Sequence, residues 1–375
     1  MLTIGFDAKR AFLNYTGLGN YSRSVITSLA QNFPEHQFIL YTTKEKNNNR
    51  TAKLSQLNNA MVVTPKFPFF KSAWRSRFVV PTLQQHKLDI YHGLSHEIPM
   101  GIQHTNIKTV VTIHDLIFLR YPQFYKSIDR KIYEAKFRNA CTNADVVVAI
   151  SEQTKRDIIA YFDIAAEKIK VVYQSCDDIF KLSNDDVQRQ AVKLKYNLPE
   201  EYLLTVGTIE ERKNLVLLAK ALKNAPKHVQ LVVVGKQTTY AEKVKQYLAA
   251  EQLTARVHFL ENVSFNDLPY IYQLAKIFVY PSRFEGFGIP ILEALHCGVP
   301  VIAATGSCLE EAGGPYSIYI NPDDANGLSE QINLILNNSD VANDMVAKGK
   351  IYAAAFTEAR QAQQLMDIYL DLMRV

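Results

Sequence analysis

Short apolar runs alternate with longer polar or amphipathic stretches along most of the chain. The runs are of strand length, mostly rich in β-branched residues, and continuous rather than alternating, which is typical of strands buried on both faces of a parallel sheet. In the first half they are Leu2–Phe6, Phe38–Tyr41, Asp89–Tyr91, Thr109–Ile113 and Val146–Ile150. In the second half they are Leu203–Gly207, Val229–Gly235, Val257–Leu260, Ile277–Tyr280 and Val299–Ala303. Because strands that alternate with helices form βαβ units, the pattern predicts an α/β protein with two doubly wound halves.

A polar stretch between Asp178 and Asn197 interrupts the apolar runs and separates the two halves. We therefore predict one Rossmann-like domain over residues 1–178 and a second over residues 179–355. A last helix follows over residues 356–375, where apolar residues recur at roughly helical spacing. Two facing domains of this kind predict a cleft in which ligands bind at the carboxyl ends of the strands.

Composition narrows the class of protein. Of 375 residues, 47% are hydrophobic and 21% are charged, which excludes a disordered chain or a small disulfide scaffold. The four cysteines form no Cys-x-x-Cys pair, so neither a disulfide framework nor a zinc site is predicted. No apolar run reaches the roughly 18–20 residues of a membrane span, and no signal peptide is legible. A cytoplasmic protein is predicted.

Charge is distributed unevenly along the chain. Residues 1–178 carry 23 Lys and Arg against 15 Asp and Glu, whereas the remainder carries 19 against 22. A basic first half favours an anionic partner, such as a membrane surface or a phosphorylated substrate; the alternative is a chance imbalance. We predict no nucleic-acid partner.

The segment from Glu285 to Glu293 follows the strand Ile277–Tyr280 and contains Gly286 and Gly288. Glycines allow a close approach of the backbone to a ligand, and the proline at position 290 suits the first turn of a helix whose amino end would face the cleft. The Glu293 carboxylate suits a vicinal diol, because it can accept two hydrogen bonds. The alternative is that Glu293 complements the helix dipole while Glu285 is a solvated loop charge.

A second segment follows the strand Leu203–Gly207. Arg212 and Lys213 come just before the helical pattern that starts at Leu215. Cations beside a helix amino end, at the carboxyl end of a strand, suit a diphosphate. The alternative is a solvated Arg-Lys pair beside Glu210 and Glu211.

Together these two segments resemble the retaining glycosyltransferases of the GT-B fold, in the large group-4 class. That class carries Glu-Gly-Phe-Gly-x-Pro-x-x-Glu-Ala, matched here from Glu285 to Ala294, and Gly-Thr-Ile-Glu-Pro-Arg-Lys-Asn, matched from Gly207 to Asn214 with Glu211 in place of the proline. The resemblance extends to Gly17-Leu18-Gly19 in the first loop, before a helical pattern from near Asn20, to the segment around His114, and to a last helix that crosses back to the first domain. It implies the GT-B fold.

The resemblance also implies roles for individual residues. Arg212 and Lys213 would neutralise the diphosphate of a nucleotide-sugar, and Glu293 would hold its ribose hydroxyls. Glu285 would engage the hydroxyls of the donor sugar together with backbone amides. Catalytic roles fall to Glu285 and to His114, which would contact the donor sugar near the reacting carbon. The other implied donor-binding residues are Gly17, Gly19, Gly207, Gly286, Phe287 and Gly288.

The chemistry suits these residue types, because the cations and helix amides can stabilise a leaving group of growing negative charge without a metal. No Asp-x-Asp motif stands at a strand end, so no metal or other cofactor is predicted. Retention of configuration is implied by the resemblance alone. The resemblance implies a GDP- or UDP-linked sugar as the donor, and the version of the motif around Arg212 makes mannose the leading candidate.

The acceptor is predicted from a stretch that combines aromatic and basic residues. Phe70, Trp74 and Phe78 recur every four residues, which forms one helical stripe. Such a stripe beside cations suits an anionic membrane surface or a lipid-diphosphate acceptor, and would place a lipid-linked glycan under assembly at the inner face of the membrane. The alternative is that the stripe packs into the core. The flanking cations are Lys71, Arg75 and Arg77.

Two other functions fit the same pattern. A GT-B nucleotide-sugar epimerase would share the cleft and consume donor without acceptor. A non-catalytic nucleotide-sugar-binding protein is opposed by the intact set of candidate site residues. A nicotinamide-dependent dehydrogenase is disfavoured, because Ser22 occupies the position of the third fingerprint glycine.

Overall fold

The computed structural model describes residues 1–46, 48–65, 73–181 and 185–374. It divides the chain into two compact units. Unit 1 comprises Met1–Gln174 together with Thr357–Val375, and unit 2 comprises Ser175–Phe356. These bounds lie close to the domain limits that we predicted at residues 178 and 355.

Unit 1 is built on a seven-stranded sheet with the order β3-β2-β1-β4-β5-β6-β7, in which every pairing is parallel. The strand order reverses beside β1, which is the doubly wound arrangement. Its strands are β1 Thr3–Asp7, β2 Gln37–Tyr41, β3 Ala60–Val63, β4 Ile90–Gly93, β5 Lys108–Ile113, β6 Val146–Ala149 and β7 Ile169–Val171. Its helices are α1 Lys9–Leu13, α2 Gly17–Asn32, α3 Ala52–Ser55, α4 Val80–Gln85, α5 Ile117–Arg120, α6 Ser127–Asn143 and α7 Glu152–Phe162, with a π-helical turn at Trp74–Phe78.

Unit 2 repeats the plan on a six-stranded parallel sheet with the order β10-β9-β8-β11-β12-β13. Its strands are β8 Tyr202–Val206, β9 Gln230–Val234, β10 Val257–Leu260, β11 Ile277–Tyr280, β12 Val301–Ala304 and β13 Ile318–Ile320. Its helices are α8 Asp186–Lys195, α9 Leu215–Leu222, α10 Tyr240–Ala250, α11 Leu268–Gln273, α12 Ile289–His296, α13 Leu309–Gly313, α14 Ala325–Asn337 and α15 Ser339–Ala353.

The prediction of two doubly wound α/β halves is confirmed, and each of the ten predicted runs overlaps a strand. Three strands were missed, and each is the edge strand of its sheet: β3, β7 and β13. Edge strands are short and half-buried. The exposed Lys170 interrupts β7, whereas β3 and β13 are apolar segments of only four and three residues that are partly buried.

The last helix, α16 Glu358–Arg374, belongs to unit 1 although it follows unit 2 along the chain. Its amino end is tied to α2, because Ser24 Oγ donates to Glu358 Oε1 over 2.7 Å. Its buried face includes Leu365 and Tyr369, and the Tyr369 hydroxyl is 2.6 Å from His92 Nδ1. The predicted return of the chain is therefore present. Over the described residues, no helix combines the length and apolar character needed to cross a membrane.

Candidate active site

The two segments singled out in the second half of the sequence follow neighbouring strands. β8 and β11 are adjacent in the sheet of unit 2, and both run parallel, so the loops at their carboxyl ends meet at one edge. The meeting is a direct backbone contact, in which the Arg283 amide donates to the Arg212 carbonyl oxygen over 2.8 Å. Ser282 Oγ donates to the same carbonyl over 3.2 Å. One loop therefore positions the other.

Glu285 lies at the centre of an ion cluster formed by these two loops. Its Oε2 is 2.7 Å from Arg212 Nη1, and its Oε1 is 2.6 Å from Lys213 Nζ. Arg212 also pairs with Glu210 at 2.7 Å and donates to the Phe284 carbonyl. The Glu285 residue is only 9% exposed, so it is not the solvated loop charge of the alternative interpretation. The structure brings Arg212, Lys213 and Glu285 together.

Burial and charge act in opposite directions on this cluster. Burial would raise the pKa of Glu285, but the Lys213 and Arg212 charges outweigh it and lower that pKa to about 2. Burial lowers the pKa of Lys213, and the Arg212 charge adds to this, while Glu285 opposes it. Glu285 is thus an ionised carboxylate at neutral pH, and it compensates the buried Lys213 while it shares Arg212 with Glu210.

Lys213 is held from three directions. Its Nζ lies 2.5 Å from the Tyr280 hydroxyl and 4.8 Å from the centre of that ring, at the end of β11. On the other side it covers Gly207, where an added Cβ would lie 3.5 Å from the Lys213 Cε. Gly207 has φ of 147°, a backbone region open mainly to glycine. The turn after β8 therefore directs the ammonium group towards Glu285.

Glu293 lies on helix α12, Ile289–His296, which begins after Gly288 and carries the proline at position 290 in its first turn. Its Oε2 accepts a hydrogen bond of 2.7 Å from the Tyr272 hydroxyl. Burial raises the pKa of Glu293 to about 7, with a smaller upward contribution from Asp177 and an opposing one from the Tyr272 hydrogen bond. Glu293 is partly exposed, so its carboxyl group can still receive a ligand.

The loop between Glu285 and Gly288 is held by Cys308, a residue that we did not predict to be part of the site. Cys308 is fully buried, and its Sγ lies 3.0 Å from both the Glu285 and the Phe287 carbonyl oxygens, which share its single S–H donor. Phe287 is itself buried and stacks obliquely with Phe356 at 5.9 Å. Gly286, between the two bonded carbonyls, remains partly exposed. Phe287 therefore anchors the loop, and Gly286 is the part that a ligand can approach.

His114 lies just after β5 in unit 1 and is 5% exposed. Its Nε2 lies 2.9 Å from the Leu94 carbonyl oxygen and its Nδ1 lies 3.2 Å from the Gln174 side-chain nitrogen. These partners assign the proton to Nε2, because a carbonyl oxygen can only accept. Burial lowers the pKa of His114 to about 4. The imidazole is therefore neutral and fixed within unit 1.

Gly17 and Gly19 form the first turn of α2, which begins at Gly17 rather than near Asn20 as predicted. Gly17 is exposed with open space around it, whereas a Cβ on Gly19 would lie 1.9 Å from the Asn14 carbonyl oxygen. The first turn contains no acidic residue. These glycines thus begin a helix of 16 residues, an amino end of the kind that favours anions.

The aromatic and basic stretch of unit 1 does not form the predicted stripe. Phe70 and Lys71 lie outside the described residues. Trp74 packs against the core of unit 1, while Phe78 is 62% exposed. The prediction for Arg75 is wrong, because its guanidinium forms ion pairs of 2.5 Å with Asp7 and 2.6 Å with Glu97 and is largely buried. Of the flanking cations in the described part, only Arg77 is exposed.

Two site residues were missed because they sit in apolar surroundings. Tyr272 belongs to the short apolar helix α11, and Tyr280 ends the apolar run of β11, so both are typical of core positions. For Tyr280 a signal was available, since it is the last residue of a strand that feeds the site loop. Within the described ranges, no group of three or more His, Cys, Asp or Glu is arranged to hold a metal ion.

Comparison with known proteins gives matches in both halves of the chain. The sequence model for "Glycosyltransferase Family 4" matches residues 15–178, and the one for "Glycosyl transferases group 1" matches residues 186–352. The chain is 26% identical to the O-antigen chain mannosyltransferase B of Escherichia coli over 369 residues, covering 94% of this chain and 96% of that protein. It is 28% identical to the O-antigen chain mannosyltransferase RfbU of Salmonella typhimurium over 261 residues, covering 70% of this chain and 67% of that one.

A solved structure extends the likeness to the whole fold. Anabaena Alr3699/HepE, crystallised in complex with UDP, superposes with a TM-score of 0.77 over 99% of this chain and 100% of that chain, at 18% identity. The sheet order and the return of the last helix are thus those of a known two-domain architecture.

Proposed function

The chain belongs to the group-4 class of glycosyltransferases, with the GT-B fold and hexosyltransferase activity, and from that premise we propose that it transfers mannose from GDP-mannose to a growing lipid-linked glycan, with retention of configuration. The observation that carries the proposal is the ion cluster at the joint edge of β8 and β11. Arg212 and Lys213 are largely buried there, beside a carboxylate that is ionised at neutral pH. Two such cations suit the diphosphate of a nucleotide-sugar.

Each group of the cluster has a role in the proposed reaction. The bond between the sugar and the diphosphate breaks, and negative charge grows on the leaving phosphate. Arg212 and Lys213 stabilise that charge, which is the interaction that strengthens towards the transition state. Glu285 and the amides around Gly286 accept and donate hydrogen bonds to the donor sugar, and Glu293 accepts from the ribose hydroxyls. Gly17 and Gly19 keep the donor-binding roles, and His114 the catalytic role, that the resemblance gave them.

We propose that the reaction needs no metal, since the two cations supply the charge that a divalent ion would otherwise provide. The departing phosphate then accepts the proton of the attacking hydroxyl. An epimerase is not favoured, because the full-length relative and the shorter one are both named as mannosyltransferases. These names also support mannose as the sugar.

A thermal-shift screen with GDP-mannose, UDP-glucose and ADP-glucose tests the donor. The expected result is stabilisation by the guanosine compound alone. Stabilisation by UDP-glucose alone would overturn the choice of guanine as the base. The structurally similar Anabaena protein was solved with UDP, so this outcome is a real alternative. Hydrolysis or rearrangement of the donor at an unchanged rate with and without acceptor would overturn the transfer reaction itself.

The acceptor is proposed from the relatives and from the charge of unit 1. Both mannosyltransferases are named for O-antigen chains, which supports a glycan acceptor under assembly. The exposed Phe78 and Arg77, with Met100 at 46% exposure beside Arg77, support contact with an anionic membrane. Co-sedimentation with phosphatidylglycerol vesicles should exceed that with phosphatidylcholine vesicles, and the variant F78S/R77A should lose the difference. Equal binding to both vesicles would contradict the membrane contact.

A further inference from the structure

Tyr272 lies 21 residues before Glu293 in the chain, and its hydroxyl donates to Glu293 Oε2 over 2.7 Å. The Tyr272 side chain is fully buried on α11. Its ring lies edge-on to Phe180, with ring centres 5.8 Å apart, and at a tilt to Phe278, with centres 5.3 Å apart. Because the ring is enclosed, the direction of the hydroxyl is set by packing.

The hydrogen bond leaves one carboxylate oxygen of Glu293 available. Among the described residues, none donates a hydrogen bond to Glu293 Oε1. Since the residue is partly exposed, that oxygen can meet a ligand while Oε2 is held from the interior. A carboxylate with one fixed oxygen is restricted in its rotation, so the free oxygen is presented in one direction.

We propose that Tyr272 is a positioning residue for nucleotide recognition, holding the Glu293 carboxylate in the orientation and the ionised form that accept the ribose hydroxyls. This inference rests on the proposed function, in which Glu293 binds the ribose. Tyr272 does not touch the nucleotide. It acts through Glu293, by donating a hydrogen bond that the carboxylate form accepts and that the protonated form would accept more weakly.

The surroundings of Glu293 bring the pKa of its carboxyl group close to neutral pH. Burial raises the pKa of Glu293 to about 7, and the Tyr272 hydrogen bond works against this rise. Among the described residues, no cation offsets the effect of burial on this pKa, and the charge of Asp177 adds to that effect. The titratable groups that interact with Glu293 are Tyr272, Tyr280, Asp177, Cys176 and Cys297.

The expected behaviour has a definite sign. Above its pKa Glu293 is ionised and accepts from the ribose diol, so nucleotide affinity falls as pH drops through about 7. Removing the Tyr272 hydroxyl raises the pKa further, so the midpoint moves to higher pH. An upward shift of one unit lowers the affinity at pH 7 about fivefold, and most of the loss is recovered at pH 9.

Isothermal titration between pH 6 and 9 tests this with the full chain. The probes are GDP and its 2′-deoxy analogue, or UDP and its 2′-deoxy analogue if the donor screen selects uridine. The variants are Tyr272→Phe, Glu293→Gln and, as a matched control, Tyr202→Phe, which also loses one buried hydroxyl bond in unit 2, that to the Ile271 carbonyl. The expected result is a higher midpoint for Tyr272→Phe and an unchanged midpoint for Tyr202→Phe. Glu293→Gln should lose the midpoint near 7 and keep only the titration of the terminal phosphate of GDP at about 6.

The outcomes separate this inference from the proposed function. If Glu293→Gln binds GDP as tightly as the wild type, and the 2′-deoxy analogue is not weakened, the ribose role of Glu293 fails. If Glu293→Gln is weakened but Tyr272→Phe keeps the wild-type midpoint, the role of Tyr272 fails while the ribose role stands. A loss in Tyr272→Phe that is equal at every pH, and matched by Tyr202→Phe, would show a purely structural effect and also overturn the inference.

Discussion

Replacing Lys213 with alanine removes one of the two cations that compensate Glu285. In the structure the Lys213 Nζ lies 2.6 Å from Glu285 Oε1, and its side chain is 15% exposed. After the change Glu285 keeps Arg212 at 2.7 Å. The remaining cluster therefore retains one direct ion pair, and the loss of stability should stay below the roughly 3–5 kcal/mol expected when a buried charge loses its sole partner.

The effect on the reaction should be larger than the effect on folding. A preorganised group that stabilises growing negative charge is worth about 10²–10³ in kcat, or about 2.7–4 kcal/mol. A loss of about 2 kcal/mol in stability lowers the melting temperature by roughly 4–8 °C in a domain of this size. Lys213→Ala should therefore stay folded at 25 °C while its kcat falls at least a hundredfold. Lys213→Arg keeps the charge but not the compact ammonium that fits over Gly207, so only partial recovery is expected.

The assay measures release of the nucleoside diphosphate with donor and acceptor, alongside the melting temperature of each variant. Lys223→Ala is the matched control, because Lys223 also forms an ion pair in unit 2, with Glu251 at the exposed surface. It should keep both activity and melting temperature. If Lys213→Ala retains kcat within threefold of the wild type while folded, the assignment of Lys213 to the leaving diphosphate is refuted.

Three further outcomes follow from the same geometry. The pKa of Glu285 is about 2 against an ordinary 4.5, so its ionised form stabilises the fold above about pH 4.5, and this stabilisation is lost as pH falls towards 2. Glu285→Gln should therefore have a free energy of unfolding about 3 kcal/mol below that of the wild type at pH 7. Urea unfolding should show this difference narrowing by pH 3. An equal difference in unfolding free energy between the two proteins at pH 7 and at pH 3 would contradict this reasoning. Gly207→Ala, at φ of 147°, should cost about 1–3 kcal/mol in unfolding free energy, and a neutral result in the same urea measurement would mean that the turn can relax. Transfer measured with and without excess chelator should proceed at the same rate, whereas a loss restored by Mg²⁺ would contradict metal independence.

The α/β architecture could be predicted from the sequence because strands buried on both faces need continuous apolar runs. Every central strand produced such a run and was predicted, whereas three of the four edge strands, β3, β7 and β13, were not. The meeting of Arg212 and Lys213 with Glu285 was predictable for a related reason. Each segment follows a strand, and the carboxyl ends of neighbouring parallel strands lie at one edge of the sheet.

Contacts made through tertiary packing could not be predicted in this way. The hydroxyl of Tyr272 reaches Glu293 because α11 packs on α12, and nothing in an apolar six-residue helix indicates which neighbour its tyrosine meets. The prediction for Arg75 was also wrong, because it placed a largely buried side chain at the surface. Its basic, aromatic surroundings suggested a surface cation, whereas Asp7 at the end of β1 and Glu97 in a later loop draw it into an internal ion pair.

The protonation states in the two units bear on how the acceptor hydroxyl loses its proton. Glu285 has a pKa of about 2 and is paired with two cations, so it holds no proton to donate at neutral pH and is a weak base. His114 has a pKa of about 4, and both of its ring nitrogens are engaged, by the Leu94 carbonyl and by Gln174. Neither residue is thus suited to exchange a proton with the acceptor hydroxyl at neutral pH. For this reason the proposed mechanism assigns the proton to the phosphate oxygen that bond cleavage frees.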